Sequence, residues 1–286
     1  MRRPLIAAVA LLAALFVQAP AAAVRASAPC PRIIAHRTLM LDRPENTVVG
    51  VQAVPATGAD GVEMDVQWSS SGFPVLMHDA TVDRTTNGTG TPASLGLSQL
   101  MALLAQDYAP WKTDPAYAGV HVPYGYEFMS AVAAADVDVL LHINATPTQL
   151  GTQKLRVYVA DYFNWESRSI VMGHADEVAA MHGWEPGLRY AVIEYPPAGR
   201  LWTPEYLRSI GAVAYVLPYD QIHPATVAWY HASGIQVYAW TSDNAAYDVP
   251  ANWTAMAAAG VDTLITNRPA AARGVLCPAP SPSGSE

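Results

Sequence analysis

The sequence predicts an α/β barrel in which short parallel strands alternate with helices. Nine short segments are strand candidates, and several of them are rich in β-branched residues and almost continuously apolar, as are strands that are buried on both faces. Helical stretches separate most of these segments, and this alternation predicts a parallel sheet. A mature chain of roughly 250 residues is long enough to close that sheet into one barrel domain.

The predicted elements follow each other along the chain. The strands cover Arg32–His36, Gly61–Gln67, Pro74–His78, Val137–Ile143, Ser169–Met172, Arg189–Glu194, Val213–Leu217, Ile235–Trp240 and Thr263–Thr266. The helices cover Thr47–Ala56, Pro147–Phe163, Asp176–His182, Pro204–Ile210, Pro224–Ser233 and Ala251–Ala259. Gly211, Gly234 and Gly260 each follow a helix, where a left-handed glycine commonly ends it.

The first 28 residues are predicted to be a secretory signal peptide. Arg2 and Arg3 precede an uncharged run from Leu5 to Val17, and the small residues after it contain A-x-A cleavage patterns. The run is shorter than the ~20 residues of a spanning helix, which disfavours a membrane anchor. We therefore expect a secreted or extracytoplasmic protein, with residues 29–277 as a single domain and a disordered Pro/Ser-rich tail at 278–286.

Charge and cysteine content narrow the function further. The formal net charge is −8, and it falls to −11 when Arg2, Arg3 and Arg25 leave with the signal peptide. So acidic a chain is a poor candidate for binding nucleic acid or an anionic membrane. Cys30 and Cys277 are the only cysteines. In an exported barrel, whose first and last strands meet, they are expected to form a disulfide.

The stretch from 79 to 122 interrupts the strand–helix rhythm. It is rich in Thr, Gly, Pro and aromatic residues, and it is predicted to be an insertion on the barrel rather than a second domain. The sequence leaves the oligomeric state open.

Two carboxylates indicate a metal site. Glu63 and Asp65 are two residues apart on a predicted strand, so their side chains point to the same face. Two acids directed into a barrel repel each other unless a cation lies between them, and Ca²⁺ or Mg²⁺ would suit carboxylate ligands. The alternative is a surface strand with two solvated acids, but Val62, Met64 and Val66 make the other face apolar.

Basic residues at strand ends complete a group of side chains that could bind and cleave a phosphodiester. His36 and His78 each end a predicted strand, and catalytic groups lie at the carboxyl ends of barrel strands. Two histidines can divide the acid and base roles across a phosphodiester. The neighbouring Arg37 can bind a phosphate through two parallel hydrogen bonds.

These motifs together resemble the glycerophosphodiester phosphodiesterase family. The shared features, in order, are His36-Arg37, Pro44–Thr47, Glu63-x-Asp65, His78-Asp79, Arg84-x-Thr86-x-Gly88, Val120–Pro123 with Glu127, Tyr238–Thr241 and Gly260–Pro269. The resemblance implies a (β/α)₈ TIM-type barrel with a small insertion after the strand of the second histidine. It also implies His36 and His78 as the acid–base pair, Arg37 as the phosphate ligand and Glu63 and Asp65 as metal ligands.

This sequence departs from the family's pattern at two places. The family usually has Gly where Thr38 follows His-Arg. It also has a Glu-x-Lys pair where Asn144 and Thr146 stand here. An Asn carbonyl can bind Ca²⁺ or Mg²⁺ but brings no charge, so Asn144 is expected to be the third metal ligand of a weakened site. His142 is expected to face the helices.

Three functional hypotheses follow. The first is metal-dependent hydrolysis of glycerophosphodiesters, or related head-group diesters, to an alcohol and a phosphomonoester, with Trp240 forming a wall of the substrate pocket. The second is a phospholipase D-like lyase that forms a cyclic phosphate; such enzymes usually lack the insertion. The third is a catalytically impaired phosphodiester-binding protein.

Overall fold

The computed structural model describes residues 30–195, 201–242, 244 and 246–278. The predicted signal peptide and the tail beyond Pro278 lie outside the described residues. Over the described part of the chain, no helix is both long enough and apolar enough to cross a membrane.

Eight parallel strands close into a barrel, which confirms the predicted (β/α)₈ fold. The strands are β1 (Arg32–Ala35), β2 (Gly61–Trp68), β4 (Asp138–Ile143), β5 (Ser169–Gly173), β6 (Tyr190–Ile193), β7 (Ala212–Pro218), β8 (Gln236–Trp240) and β9 (Thr263–Thr266), with β3 (Pro74–Leu76) outside the ring. Strand β1 closes the ring because Ile34 is in register with Gly61 of β2 on one side and with Ile265 of β9 on the other.

Strand β3 runs antiparallel to β2, whereas the sequence predicts that it ends at the barrel mouth like the other strands. It pairs antiparallel with β2, with Val66 opposite Leu76 and Trp68 opposite Pro74. Because β2 is long and β3 runs back beside it, the chain after β3 returns to the level of Asp65, whose carbonyl accepts a hydrogen bond from the Met77 amide (3.0 Å). His78 reaches the mouth by this route.

Helices surround the barrel. They are α1 (Val48–Ala53), α2 (Leu97–Met101), α3 (Gly125–Ala135), α4 (Gln149–Arg156), α5 (Ala175–Trp184), α6 (Pro204–Ser209), α7 (Pro224–His231), α8 (Pro250–Ala259) and α9 (Pro269–Leu276). The predicted helix at 147–163 is α4 followed by a π-helical turn at Val157–Tyr162. Gly211, Gly234 and Gly260 have φ values of 81°, 76° and 92°, as expected for glycines that end helices.

Alternation along the strands separates two apolar layers. Val62, Met64 and Val66 belong to the core between barrel and helices. A smaller cluster fills the barrel interior: Ile34, Leu140, Ile170, Met172, Ala191, Ala214, Val216, Tyr238 and Ile265. Toward the carboxyl ends of the strands, beyond this cluster, the inward-facing positions of β2 are the acids Glu63 and Asp65.

The two cysteines are bonded, as predicted. Cys30 precedes β1 and Cys277 follows α9, and their Cα atoms are 5.6 Å apart across a sequence separation of 247. The segment between β3 and α3, where the sequence predicts an insertion, forms α2 and short 3-10 turns. It packs on a small apolar cluster of its own, made by Val75, Met77, Val82, Leu100, Ala105 and Val122.

Candidate active site

One cavity collects the residues singled out from the sequence. It has a volume of about 190 Å³ and lies at the carboxyl ends of the barrel strands. Its polar lining is made by His36, Arg37, Glu63, Asp65, His78, His142, Asn144, His174 and Glu194, and Trp240 forms part of the wall. Catalytic groups of barrel enzymes occupy this end of the fold.

The turn after β1 is strained and directs Arg37 into the cavity. Arg37, Thr38 and Leu39 have φ values of 43°, 56° and 70°, the left-handed region that non-glycine residues seldom adopt. The surroundings hold this conformation, because the Thr38 hydroxyl accepts a hydrogen bond from the Thr47 amide (3.1 Å) and its backbone packs on Gly50. Strain of about 1–3 kcal/mol per residue typically marks a functional turn. It also accounts for the glycine that the family usually has at position 38.

His36 is held by the residue that follows the last strand of the barrel. Its Nδ1 lies 2.7 Å from Asn267 Oδ1, while Asn267 Nδ2 donates to the Ser242 carbonyl (2.8 Å). The backbone N–H of Asn267 in turn donates to the buried Asp248 carboxylate (2.7 Å). Because Asn267 Oδ1 can only accept, the network assigns the proton to His36 Nδ1 and directs Nε2 toward Glu63, whose Oε2 is 3.9 Å away.

His78 is held by a network of ion pairs that extends to Arg84 of the insertion. Its Nδ1 lies 2.8 Å from Asp79 Oδ1, and Arg84 donates to Asp79 Oδ2 (2.6 Å) and to both oxygens of Glu45 (2.6 and 3.0 Å). The hydrogen bond from Arg84 is the main reason that the pKa of Asp79 falls to about 2. An ionised Asp79 fixes the His78 proton on Nδ1 and leaves Nε2 as an acceptor.

Arg37 joins the second histidine to the acids. Its Nη2 donates to His78 Nε2 (2.7 Å), its Nε lies 3.4 Å from Asp65 Oδ2, and its amide donates to Glu63 Oε2 (2.9 Å). The guanidinium is therefore positioned between the imidazole and the carboxylates, at a place where it can receive an anionic phosphate.

Glu63 and Asp65 are buried together, with only 2% and 1% of their surface exposed. The two oxygens of Asp65 accept from Asn46 Nδ2 (2.8 Å) and from Asn144 Nδ2 (2.7 Å). Burial alone would raise the pKa of Asp65, but the hydrogen bond with His142 and the charge of Arg37 outweigh it and hold that pKa well below its usual range. Asp65 is therefore an anion enclosed by donors.

His142 faces the cavity, so the expectation that it faces the helices is wrong. Its Nδ1 lies 3.3 Å from Asp65 Oδ1 and 4.0 Å from Glu63 Oε1. The sequence contained the signal, because residues two apart on a strand share a face and Asn144 was already placed inward. Within the described ranges, Glu63, Asp65 and His142 form a group whose ligand atoms all lie within 4.8 Å of one another.

Aromatic rings form the remaining wall. The Trp240 ring is centred 6.2 Å from that of His36 and 6.3 Å from that of Tyr195, against which it packs edge-on. Trp240 is thus close enough to contact a group bound beside His36. The sequence predicts the same position for Trp240, in a wall of the pocket.

A family model matches this chain over residues 36–271, and it is that of the glycerophosphoryl diester phosphodiesterase family. The chain belongs to this family. It is therefore a phosphoric diester hydrolase, and the matched range contains all the cavity residues named above.

Individual relatives agree with the family assignment. A glycerophosphodiester phosphodiesterase of Caldanaerobacter subterraneus is 28% identical over 241 residues, which cover 83% of this chain and 94% of that protein. Two solved structures share the fold with a TM-score of 0.74 each. One is a putative glycerophosphoryl diester phosphodiesterase of Silicibacter pomeroyi, 21% identical and covering 87% of this chain and 94% of the other. The second is an Oleispira antarctica phosphodiesterase in complex with the product sn-glycerol-3-phosphate, 20% identical and covering 86% and 96%.

Proposed function

We propose that this phosphodiesterase hydrolyses glycerophosphodiesters to an alcohol and a phosphomonoester, with His36 and His78 as the acid–base pair. The observation that carries the proposal is the matched pair of imidazoles. Each has its Nδ1 held by an acceptor, Asn267 or Asp79, and each has its Nε2 at the cavity, where that of His36 faces Glu63 and that of His78 accepts from Arg37 Nη2. One neutral imidazole can take a proton from water at Nε2, while the other, protonated on both ring nitrogens, protonates the leaving alcohol.

The substrate class is supported by the relatives. The Oleispira phosphodiesterase binds the product sn-glycerol-3-phosphate, and the Caldanaerobacter relative carries the name of a glycerophosphodiester phosphodiesterase. A cavity of about 190 Å³ suits a small phosphodiester better than a polymer. Arg37 would bind the phosphate oxygens, and Trp240 would cover one side of the bound substrate.

We also propose that Glu63 and Asp65 hold a divalent cation, with Asn144 as a further ligand; oxygen ligands alone would suit Ca²⁺ or Mg²⁺. The fit rests on the donor set, because two nearly fully buried carboxylates facing each other need positive charge to be tolerated. Asn144 presents its Nδ2 to Asp65, and a half-turn of the amide would present Oδ1 instead. Such a cation would neutralise charge that develops on the phosphoryl oxygens.

The protein is proposed to act outside the cytoplasm. The Cys30–Cys277 disulfide supports this, because such bonds persist in oxidising compartments. The predicted signal peptide agrees with the same location.

The test is an activity panel. Glycerophosphodiesters and lysophospholipids would be incubated with the purified protein in the presence of Ca²⁺, Mg²⁺ or a chelator. Release of alcohol from a glycerophosphodiester, restored by added metal after chelation, is the expected result. Binding of the diesters without turnover under every metal condition would instead identify a binding protein.

A further inference from the structure

The cavity contains a nitrogen ligand that the sequence-derived metal site does not include. We propose that His142 Nδ1 binds the cation beside Glu63 and Asp65, and that this nitrogen shifts the site's preference from Ca²⁺ and Mg²⁺ to a transition ion, Mn²⁺, Co²⁺ or Zn²⁺. The inference rests on the proposed metal dependence and names the class of ion.

The distances fit one shared ion. Nitrogen and oxygen ligands bind such ions at about 2.0–2.2 Å, so two ligand atoms of one ion lie no more than ~4.4 Å apart. His142 Nδ1 lies 3.3 Å from Asp65 Oδ1 and 4.0 Å from Glu63 Oε1, within this limit in both cases. The ligand atoms of all three residues lie within 4.8 Å of one another, so closing on one ion needs at most a movement of a few tenths of an ångström.

The three side chains are held by paired strands. Asp65 on β2 is in register with His142 on β4, and Glu63 is in register with Leu140 two residues earlier. Neighbouring positions on parallel strands share a face, so His142 is held beside the acids by the barrel and not by a loop. Its side chain is 20% exposed, which leaves it open to the cavity.

The donor set favours a borderline ion. Ca²⁺ and Mg²⁺ prefer oxygen ligands, whereas an imidazole nitrogen suits the later first-row ions, and Zn²⁺ is commonly bound by His with Asp or Glu. Asn144 contributes no charge, so the two carboxylates and His142 provide the main ligands. For this set, affinity should rise from Mn²⁺ to Co²⁺, and Zn²⁺ suits the same ligand types.

His142 has one competing role, which is to stabilise Asp65 by a hydrogen bond alone. His142→Asn separates metal binding from this hydrogen bond. Asn is a shorter donor that can keep a polar contact with Asp65, but it lacks the imidazole nitrogen. The matched control is His231→Asn. His231 also pairs with a carboxylate, Asp262, at 2.8 Å, and it does not line the cavity.

The first experiment measures metal affinity of the full-length metal-free protein by calorimetry, with Zn²⁺, Co²⁺, Mn²⁺, Mg²⁺ and Ca²⁺ in turn. The wild type should bind Zn²⁺ and Co²⁺ at least 100-fold more tightly than Mg²⁺. His142→Asn should weaken Zn²⁺ and Co²⁺ by about 10–100-fold or more, since even an outer-shell partner contributes that much. Mg²⁺ affinity should change less than threefold, and His231→Asn should match the wild type.

The second experiment detects the nitrogen directly, with one equivalent of Cu²⁺ as a paramagnetic probe. Nitrogen hyperfine splitting should be present in the wild type and in His231→Asn, and reduced in His142→Asn. Loss of splitting in His36→Asn instead, with His142→Asn unchanged, would overturn the assignment.

The outcomes distinguish this inference from the function on which it rests. A wild type that prefers Mg²⁺ or Ca²⁺, with His142→Asn unchanged, would overturn the nitrogen ligand and leave metal-dependent hydrolysis in place. A protein that binds none of the five ions, yet still hydrolyses diesters, would overturn both the nitrogen ligand and the metal dependence.

Discussion

Asn267 Oδ1 lies 2.7 Å from His36 Nδ1, and this contact joins the residue after the last barrel strand to the residue after the first. The carbonyl oxygen fixes the proton on Nδ1 and leaves Nε2 to face the cavity. Asn267 is itself held through Asp248, which also accepts from Trp253 Nε1 (2.6 Å) and Thr266 Oγ1 (2.7 Å). Asn267 is therefore a positioning residue for the proposed base or acid.

Replacing Asn267 by Asp should shift the pH dependence of hydrolysis. A carboxylate beside His36 favours the imidazolium and raises its pKa by about one unit or more. If His36 must be neutral in the free enzyme, the acid limb of the kcat/KM profile should move to higher pH by a similar amount. Asn252→Asp, a substitution outside the cavity, is the control. An unshifted profile in Asn267→Asp would mean that the acid limb does not report the protonation of His36.

Substituting Asn144 by Glu should strengthen binding of Ca²⁺ and Mg²⁺. The change adds a third carboxylate beside Asp65, and ligand charge is one of the factors that tune Ca²⁺ affinity over several decades. Turnover should recover better in Asn144→Glu with Thr146→Lys, because the lysine offsets the repulsion between the new carboxylate and the phosphate. Calorimetric titration of Ca²⁺ and Mg²⁺ into both proteins measures the change. Equal affinities in wild type and Asn144→Glu would mean that residue 144 is not a metal ligand.

Gly50→Ala should destabilise the protein and disturb the active-site turn. A Cβ at Gly50 would lie 2.2 Å from the Thr38 carbonyl oxygen, so the turn that carries Arg37 must move. The free energy of unfolding should fall by about 1–3 kcal/mol, the usual cost of overpacking, and activity should fall with it. Gly183→Ala in helix α5, where nothing lies within 4 Å, should be neutral or stabilising by up to ~1 kcal/mol. Urea denaturation of both variants measures these changes. An unchanged free energy of unfolding in Gly50→Ala would contradict this account.

Removal of the disulfide should lower stability without altering the cavity. In the loop-entropy model, a bond that closes a loop as long as 247 residues stabilises by roughly 5 kcal/mol, and measured values are often smaller. Cys30→Ser with Cys277→Ser should therefore unfold at lower urea concentration than the oxidised wild type. Thiol labelling of the unreduced, denatured protein should find no free thiol, and two thiols per chain would refute the bond.

Much of the fold was predictable because barrel strands have strong local signatures. The β-branched runs and the glycines at 211, 234 and 260 define most element boundaries to within a few residues. Strand β3 was assigned as a strand, but local pattern does not report whether a strand pairs parallel or antiparallel. The direction of β3 is set by its pairing with the long β2.

Part of the site could not be read from the sequence because its contacts are long-range. Asn267 and His36 are 231 residues apart and meet only when β1 and β9 pair. The misassignment of His142 has a different cause. Strand alternation places it on the same face as Asn144, so an inward Asn144 requires an inward His142.

The central claim, hydrolysis by a histidine pair, is tested most directly by phosphorus NMR of the product. The metal-loaded wild type should convert a glycerophosphodiester to a phosphomonoester as the final product. His36→Ala and His78→Ala should each lower the rate by about 10²–10⁴-fold, with circular dichroism like that of the wild type. A cyclic phosphate as the final product, or near wild-type turnover in either folded variant, would contradict the account.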